Sequence, residues 1–214
     1  MERFFPMTVT LDTKDQRTSY ALGLDIAASL QRLPLKVDLD CYLQGLNDML
    51  DGKKLLLEQD EFTEVMRDFQ AALRKAGEAA QEKMGTANMA EGQAYQKNNG
   101  ARDGVTTTES GLQYEMVEEG DGASPDATDT VTVHYCGTLI NGSKFDSSYD
   151  RGEPATFPLN QVIPGWTEGV QLMRIGAKYR FVIPSGLAYG ENGAAPAIGP
   201  DATLIFEIEL ISIQ

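Results

Sequence analysis

Residues 130–148 read TVTVHYCGTLINGSKFDSS. Over 130–140 apolar and polar side chains alternate at the period of two that sends successive residues to opposite faces of a strand. Tyr135 therefore lies on one face, with His134 and Cys136 on the other. The pair Asn141-Gly142 that follows is a hairpin turn signal, because both central positions of the favoured two-residue turn need positive φ. Working outward, LQYEMVEEG (112–120), YRFVIP (179–184) and ATLIFEIELISI (202–213) are further strand candidates, separated by turns rich in Gly, Pro and Asn. A mainly antiparallel sheet is implied. Between these strands PGWTEGVQLM (164–173) carries Trp166, Val170 and Met173 at helical spacing, with Pro164 suited to a first helical position. One short helix packing across the sheet is expected.

Towards the N-terminus the period changes. Ser19 or Thr18 is a candidate cap for a helix carrying Tyr20, Leu22, Leu24, Ile26, Ala27 and Leu30, which Pro34 stops. Asp38 can cap a second helix with Leu39, Tyr42, Leu43, Leu46, Met49 and Leu50 on one face, ending at Gly52. From about Gln59, Phe62, Val65, Met66, Phe69, Leu73, Ala76, Ala80, Met84 and Ala87 continue the spacing into one helix of about 40 residues and about 60 Å. Its apolar stripe thins from Phe and Leu to Ala, and Gly77, Gly85 and Gly92 each weaken the helix by about 1 kcal/mol relative to Ala. The distal half reads as a stalk, and NNGARDGVTTTESG (98–111) as a linker. Two domains follow, residues 1–105 and 106–214. Three helices of that size bury little apolar surface alone, so either a second copy covers them or they fold back as a monomer.

Composition narrows the function. The 214 residues hold 18 Lys+Arg against 32 Asp+Glu, a net charge of −14 with one His, two Cys and 42% apolar residues. Thirteen basic and 17 acidic residues lie up to residue 105, and 5 and 15 after it, so the C-terminal part is the acidic one. Binding nucleic acid through bulk charge is disfavoured, since phosphate neutralisation needs clustered cations. One His with Cys41 and Cys136 cannot form a zinc site from those residue types alone, and no C-x-x-C, Gly-x-Ser-x-Gly or phosphate-cradling glycine loop occurs. The reading calls for no cofactor or metal. No stretch nears the roughly 18 apolar residues of a spanning helix, and MERFFPM lacks a signal-peptide apolar region. A cytoplasmic location is expected, with a periplasmic or cell-surface one if a signal peptide has been removed.

What remains is aromatic. Tyr135, Phe145, Phe157, Trp166, Tyr189 and Phe206, with Val162, Ile163 and Ile198, either fill an ordinary core or line an apolar cleft. The motifs VHYCGTLINGSKFDSS, VIPGW, LAYG and ATLIFEIEL, in this order and spacing, resemble the FKBP-type peptidyl-prolyl cis-trans isomerases over residues 110–214. SYALGLDIAASL and the long charged helix before SGLQY resemble the dimerising N-terminal domain of the bacterial macrophage infectivity potentiator subgroup. The resemblance implies an α+β protein: an all-α dimerisation domain with a long helix, then an antiparallel half-barrel wrapped around a short helix, with the cleft between them.

It also implies site residues. Tyr135, Phe145 and Asp146 fall in the HYxG and KFDSS motifs, Val162, Ile163 and Trp166 in VIPGW, and Tyr189 in AYG, while Phe157, Ile198 and Phe206 complete the walls. Trp166 would form the floor, and the Tyr189 hydroxyl and Ile163 N–H would donate to a substrate carbonyl. Asp146 is either a loop-ordering acceptor or a direct part of the reaction, and Tyr135 either wall or polar partner. Two departures lie at the rim: Ala155 where an aromatic residue is frequent, and Ala194 in the 191–199 loop where His is frequent. They bear on substrate preference and on affinity for macrocyclic inhibitors such as rapamycin. The implied partners are proline-containing unfolded or partly folded chains and a second copy of this chain. A holdase-type chaperone or a binding adaptor using the same cleft with little catalysis is the competing reading.

Overall fold

The computed structural model describes residues 9–214. The reading of MERFFPM lies outside the described residues. The chain divides into two compact units, one reaching Gly77 and the other Glu78–Gln214.

The first unit is helical. Helix α1 spans Lys14–Gln31 and starts earlier than Ser19 or Thr18 suggested. Thr13 caps it: its hydroxyl accepts from the Gln16 N–H at 3.2 Å, while the Gln16 side chain accepts from the Thr13 N–H at 2.9 Å. This reciprocal box satisfies two otherwise orphaned donors, and so wins over a later hydroxyl. Thr18 instead returns its hydroxyl to the Lys14 carbonyl inside the helix. Helix α2, Leu39–Leu50, is capped by Asp38, whose carboxylate accepts from the Cys41 N–H at 3.0 Å, and Gly52 follows it at φ 64°. Helix α3 runs 42 residues, Gln59–Gly100. Apolar residues of this unit face solvent, Leu22 at 60% exposure and Met49 at 70%.

The second unit holds the distal turns of α3 and, among the described residues, one seven-stranded antiparallel sheet. Its strands are β1 (Val105–Thr107), β2 (Gln113–Glu118), β3 (Thr130–Leu139), β4 (Lys144–Ser147), β5 (Ala155–Pro158), β6 (Lys178–Ile183) and β7 (Leu204–Ile213). The order is β1-β2-β6-β7-β3-β4, and β5 pairs with the first half of β3. Alternation in β3 puts Val131, Val133 and Tyr135 inside, and β7 answers with Phe206, Ile208 and Leu210. The short helix α5, Pro164–Val170, lies against that face and contributes Trp166 and Val170 to the core. Each fully buried side chain of this kind stabilises the fold by about 1.5–3 kcal/mol. The short strands β1, β4 and β5 and the one-turn helix α4, Ser148–Arg151, were not apparent from the apolar pattern.

The stalk and linker expectations need correction. Asn99 is buried and donates to Gln113 at 2.9 Å, and β1, inside the supposed linker, pairs with β2. Gly85 and Gly92 are buried as well. A Cβ on Gly92 would sit 2.3 Å from the Thr203 hydroxyl, and one on Gly85 2.8 Å from an Asp201 carboxylate oxygen. Glycines that weaken the helix locally are what let its backbone approach the 200–203 segment. Propensity alone reads them as weakness; packing explains them.

Candidate active site

Trp166 occupies the first turn of α5, which begins at Pro164 behind Ile163 in extended conformation. The Ile163 carbonyl accepts from the Trp166 and Thr167 N–H groups at 2.9 and 3.1 Å, which fixes where the indole enters the sheet. Three rings meet it edge-on: Tyr135 from β3 at 5.2 Å between centroids, Phe206 from β7 at 5.2 Å and Phe157 from β5 at 5.7 Å. Phe145 from β4 packs perpendicular to Phe206 at 5.5 Å. Gly137 makes room for that pair, because a Cβ there would stand 2.6 Å from Phe145 and 2.8 Å from Phe206. The edge-to-face geometry matches positive ring edges to negative faces and holds each ring in one orientation. The Trp166 Nε1–H is buried with no hydrogen-bond partner among the described residues.

A polar clasp borders the rings. The Tyr135 hydroxyl donates to Asp146 Oδ2 at 2.5 Å, and Arg151 donates to Asp146 Oδ1 and, at 2.8 Å, to the Tyr135 hydroxyl oxygen. The guanidinium also lies over the Tyr135 ring, 5.3 Å from its centroid. Asp146 lies one residue before the end of β4 and Arg151 ends α4, whose N-cap Ser147 accepts from the Asp150 N–H. Sequence reasoning missed Arg151. The available signal was a lone cation five residues beyond Asp146 in a part of the chain with only five basic residues. It also missed Ser148, which is fully buried, accepts from the Tyr135 N–H at 2.7 Å and donates to the Tyr135 carbonyl at 3.2 Å. His134 points to the other face, stacked on Tyr149 at 4.6 Å.

Electrostatics fix the clasp in one charge state. Partial burial works to raise the Asp146 pKa, but hydrogen bonds from Tyr135 and Arg151, and the guanidinium charge, outweigh it and hold the carboxyl below its ordinary 3.8. Burial, then the bond to that carboxylate, pushes the Tyr135 phenol above its ordinary 10.0. A carboxyl depressed on folding contributes stability that is complete above its unfolded pKa and is lost as pH falls through the lower, folded one. The clasp therefore stays intact from about pH 5 to about pH 9. Peptide isomerisation is expected to show a flat kcat/KM over that window and a decline below about pH 4; a bell centred near neutrality would contradict it.

The remaining expected residues divide. Val162 and Ile163 are partly buried and pack against the core, and Ile198 is 6% exposed within it. Tyr189 stands 41% exposed before the turn Gly190–Asn192. Ala155 faces Val133 in the β3–β5 register, and Ala194 pairs with Ile198 through reciprocal 2.9 Å bonds. Both departures from the family pattern pack against the core that holds the rings.

An antiparallel sheet around a short helix, an aromatic cluster bordered by a polar clasp and a helical N-terminal region fit the architecture that the sequence motifs implied. Family models agree: "FKBP-type peptidyl-prolyl cis-trans isomerase" matches residues 122–211, and "Domain amino terminal to FKBP-type peptidyl-prolyl isomerase" matches residues 15–116. The FKBP-type peptidyl-prolyl cis-trans isomerase FkpA of Aeromonas hydrophila is 47% identical, over 94% of this chain and 76% of that protein. The FKBP-type 22 kDa peptidyl-prolyl cis-trans isomerase of Escherichia coli strain K12 is 42% identical, over 96% and 98%. The crystal structure of FkpA from Escherichia coli superposes with a TM-score of 0.79 at 39% identity, covering 96% of this chain and 99% of that one. The chain belongs to the FKBP-type peptidyl-prolyl cis-trans isomerases. The cytoplasmic expectation finds no support: a 39% identical relative from Legionella longbeachae is named outer membrane protein MIP. Among the described residues no helix is long and apolar enough to cross a membrane.

Proposed function

We propose that X-Pro bonds turn on Trp166, with Phe145, Phe157, Val162, Ile163, Ile198 and Phe206 as walls and Tyr135, Asp146 and Tyr189 as the polar groups. The observation that carries this reading is the indole held edge-on by three rings beside one charged clasp. Amide resonance sets the rotation barrier at about 18–20 kcal/mol, and no bond need be made or broken to cross it. A prolyl ring seated on the indole withdraws its amide from water, which disfavours the charge-separated form that stiffens the C–N bond. In this reading the hydroxyl of Tyr189, a residue 41% exposed, and the Ile163 N–H donate to a neighbouring carbonyl. Asp146, already engaged by Tyr135 and Arg151, orders the β4–α4 corner and keeps Tyr135 fixed. Exchange of a short proline peptide in the presence of Tyr189→Phe tests the donor role; an unchanged rate contradicts it.

The helical part supplies the partner surface, and residues 106–214 act as the isomerase domain. Helix α1 buries none of its own residues, and Tyr20, Leu22, Leu24 and Ile26 stay exposed with Leu43, Leu46, Phe62 and Val65. Apolar exposure on this scale marks an interaction surface, and a second copy with the same three helices matches it in chemistry. Residues 1–105 are expected to sediment as a dimer at micromolar concentration; a monomer would remove this reading. Two tethered sites raise effective concentration on long, partly folded substrates. The holdase alternative draws on the same exposed surface, and separates by experiment: a Trp166 variant that keeps full refolding assistance for a proline-limited protein supports it against catalysis. For location, a cell-envelope compartment fits better than the cytoplasm, on the strength of the relative's name.

A further inference from the structure

The segment from Tyr189 to Thr203 has two sides. Inward, Ile198 enters the core that holds Trp166 and Phe206, and Ala194 packs beside it. Outward, the same segment meets the distal turns of α3. The Asn88 amide donates to the Pro200 carbonyl at 2.7 Å, and the Gln96 amide donates to the Thr203 hydroxyl at 3.1 Å. Met84 lies over Gly199, where a Cβ would come within 3.0 Å of its sulfur. Pro200 and Thr203 are buried there. By itself the loop is held at few points: the Ala194–Ile198 pair, the Gly193 N–H to the Gly190 carbonyl at 3.3 Å and the Asp201 N–H to the same carbonyl at 2.8 Å. Its tip, Ala195–Ala197, is exposed.

We propose that the distal turns of α3 brace this loop, and that Asn88 and Gln96 are positioning residues that set the shape of the prolyl rim through Pro200 and Thr203. The helix attributed to the N-terminal domain is thus a specificity element of the isomerase domain. A fragment beginning at residue 106 lacks the brace. The proposal rests on the reading of Ile198 and Tyr189 as the rim of the site, and deepens it. Since Ile198 is two residues from Pro200, releasing the outer anchor lets the rim wander without touching Trp166, Tyr135 or Asp146. Substrate binding weakens, while the bound prolyl bond still meets the same floor and walls.

The test uses the full chain with Asn88→Asp, which is nearly isosteric but sets a carboxylate against the Pro200 carbonyl, and Gln96→Leu as a second variant. Two readouts are taken: amide hydrogen exchange at Ala194 and Ile198, and KM and kcat separately for proline peptides differing in the residue before Pro. The expected result is faster exchange at both amides, KM raised about 3- to 10-fold with a changed order of preference, and kcat within about twofold of wild type. Unchanged amide exchange in both variants overturns the brace. Faster exchange with unchanged KM and preference overturns the link from brace to rim. Failure of the site reading itself shows separately, as a Trp166→Leu chain that isomerises at the wild-type rate.

Discussion

Trp166→Leu is expected to lower kcat/KM for a proline-containing peptide by about 10- to 100-fold, equivalent to about 1.4–2.8 kcal/mol of transition-state stabilisation. Leucine keeps an apolar side chain at the first turn of α5 but removes the flat surface that Tyr135, Phe157 and Phe206 hold edge-on. Alanine is the poorer test. At 5% exposure Trp166 belongs to the core, and truncating it to Ala costs about 3–5 kcal/mol, a large share of a typical 5–15 kcal/mol total. The loss of activity should stay partial, because the remaining walls still exclude water from the amide. The check is a peptide-exchange rate beside a thermal melt of the same sample. A folded Trp166→Leu chain with wild-type kcat/KM would remove the indole from the account.

Gly193→Ala should have the largest effect of any single methyl addition in the loop. Gly193 adopts φ 63°, ψ −161°, a region open in practice only to glycine. A Cβ there would lie 2.5 Å from the Ile198 carbonyl oxygen and 2.6 Å from the Gly199 carbonyl carbon. Those are backbone atoms, so no rotamer change relieves the clash. The loop must open, which breaks the Ala194–Ile198 pair and draws Ile198 out of the core. The cost is expected to be at least about 2–3 kcal/mol. Two-dimensional NMR should show shifts spreading from residues 190–200 to Phe206, with peptide KM rising at least about tenfold. Spectra unchanged beyond residue 193 would contradict the view of this loop as part of the rim.

How much of this was legible in the residues themselves depends on the length scale of the signal. The period-two alternation of β3 and β7, the short helix at Pro164 and the three-and-four spacing of α2 and α3 are local, and each recurs in the structure. The proposed site residues come from the resemblance rather than from the pattern, since a core ring and a cleft ring have the same hydrophobic signature. Arg151 and Ser148 were not legible. The pattern carried neither the α4 turn that swings Arg151 back to Asp146 nor the pairing across 13 residues that puts Ser148 on the Tyr135 backbone. The distal turns of α3 were misread for a related reason. Gly85 and Gly92 lower helix propensity, and the benefit lies in contacts with Asp201 and Thr203 more than 100 residues away.

The most direct test exploits a feature of composition: Trp166 is the chain's single tryptophan. Its emission can be followed while a proline-containing peptide is titrated in, on the same protein and at the temperature where the isomerisation rate is measured. The account predicts a saturable change in indole emission whose midpoint coincides with the peptide concentration giving half-maximal velocity. Full catalysis at saturating peptide with the emission unaltered would contradict it, because the bond would then be turning somewhere other than over that ring.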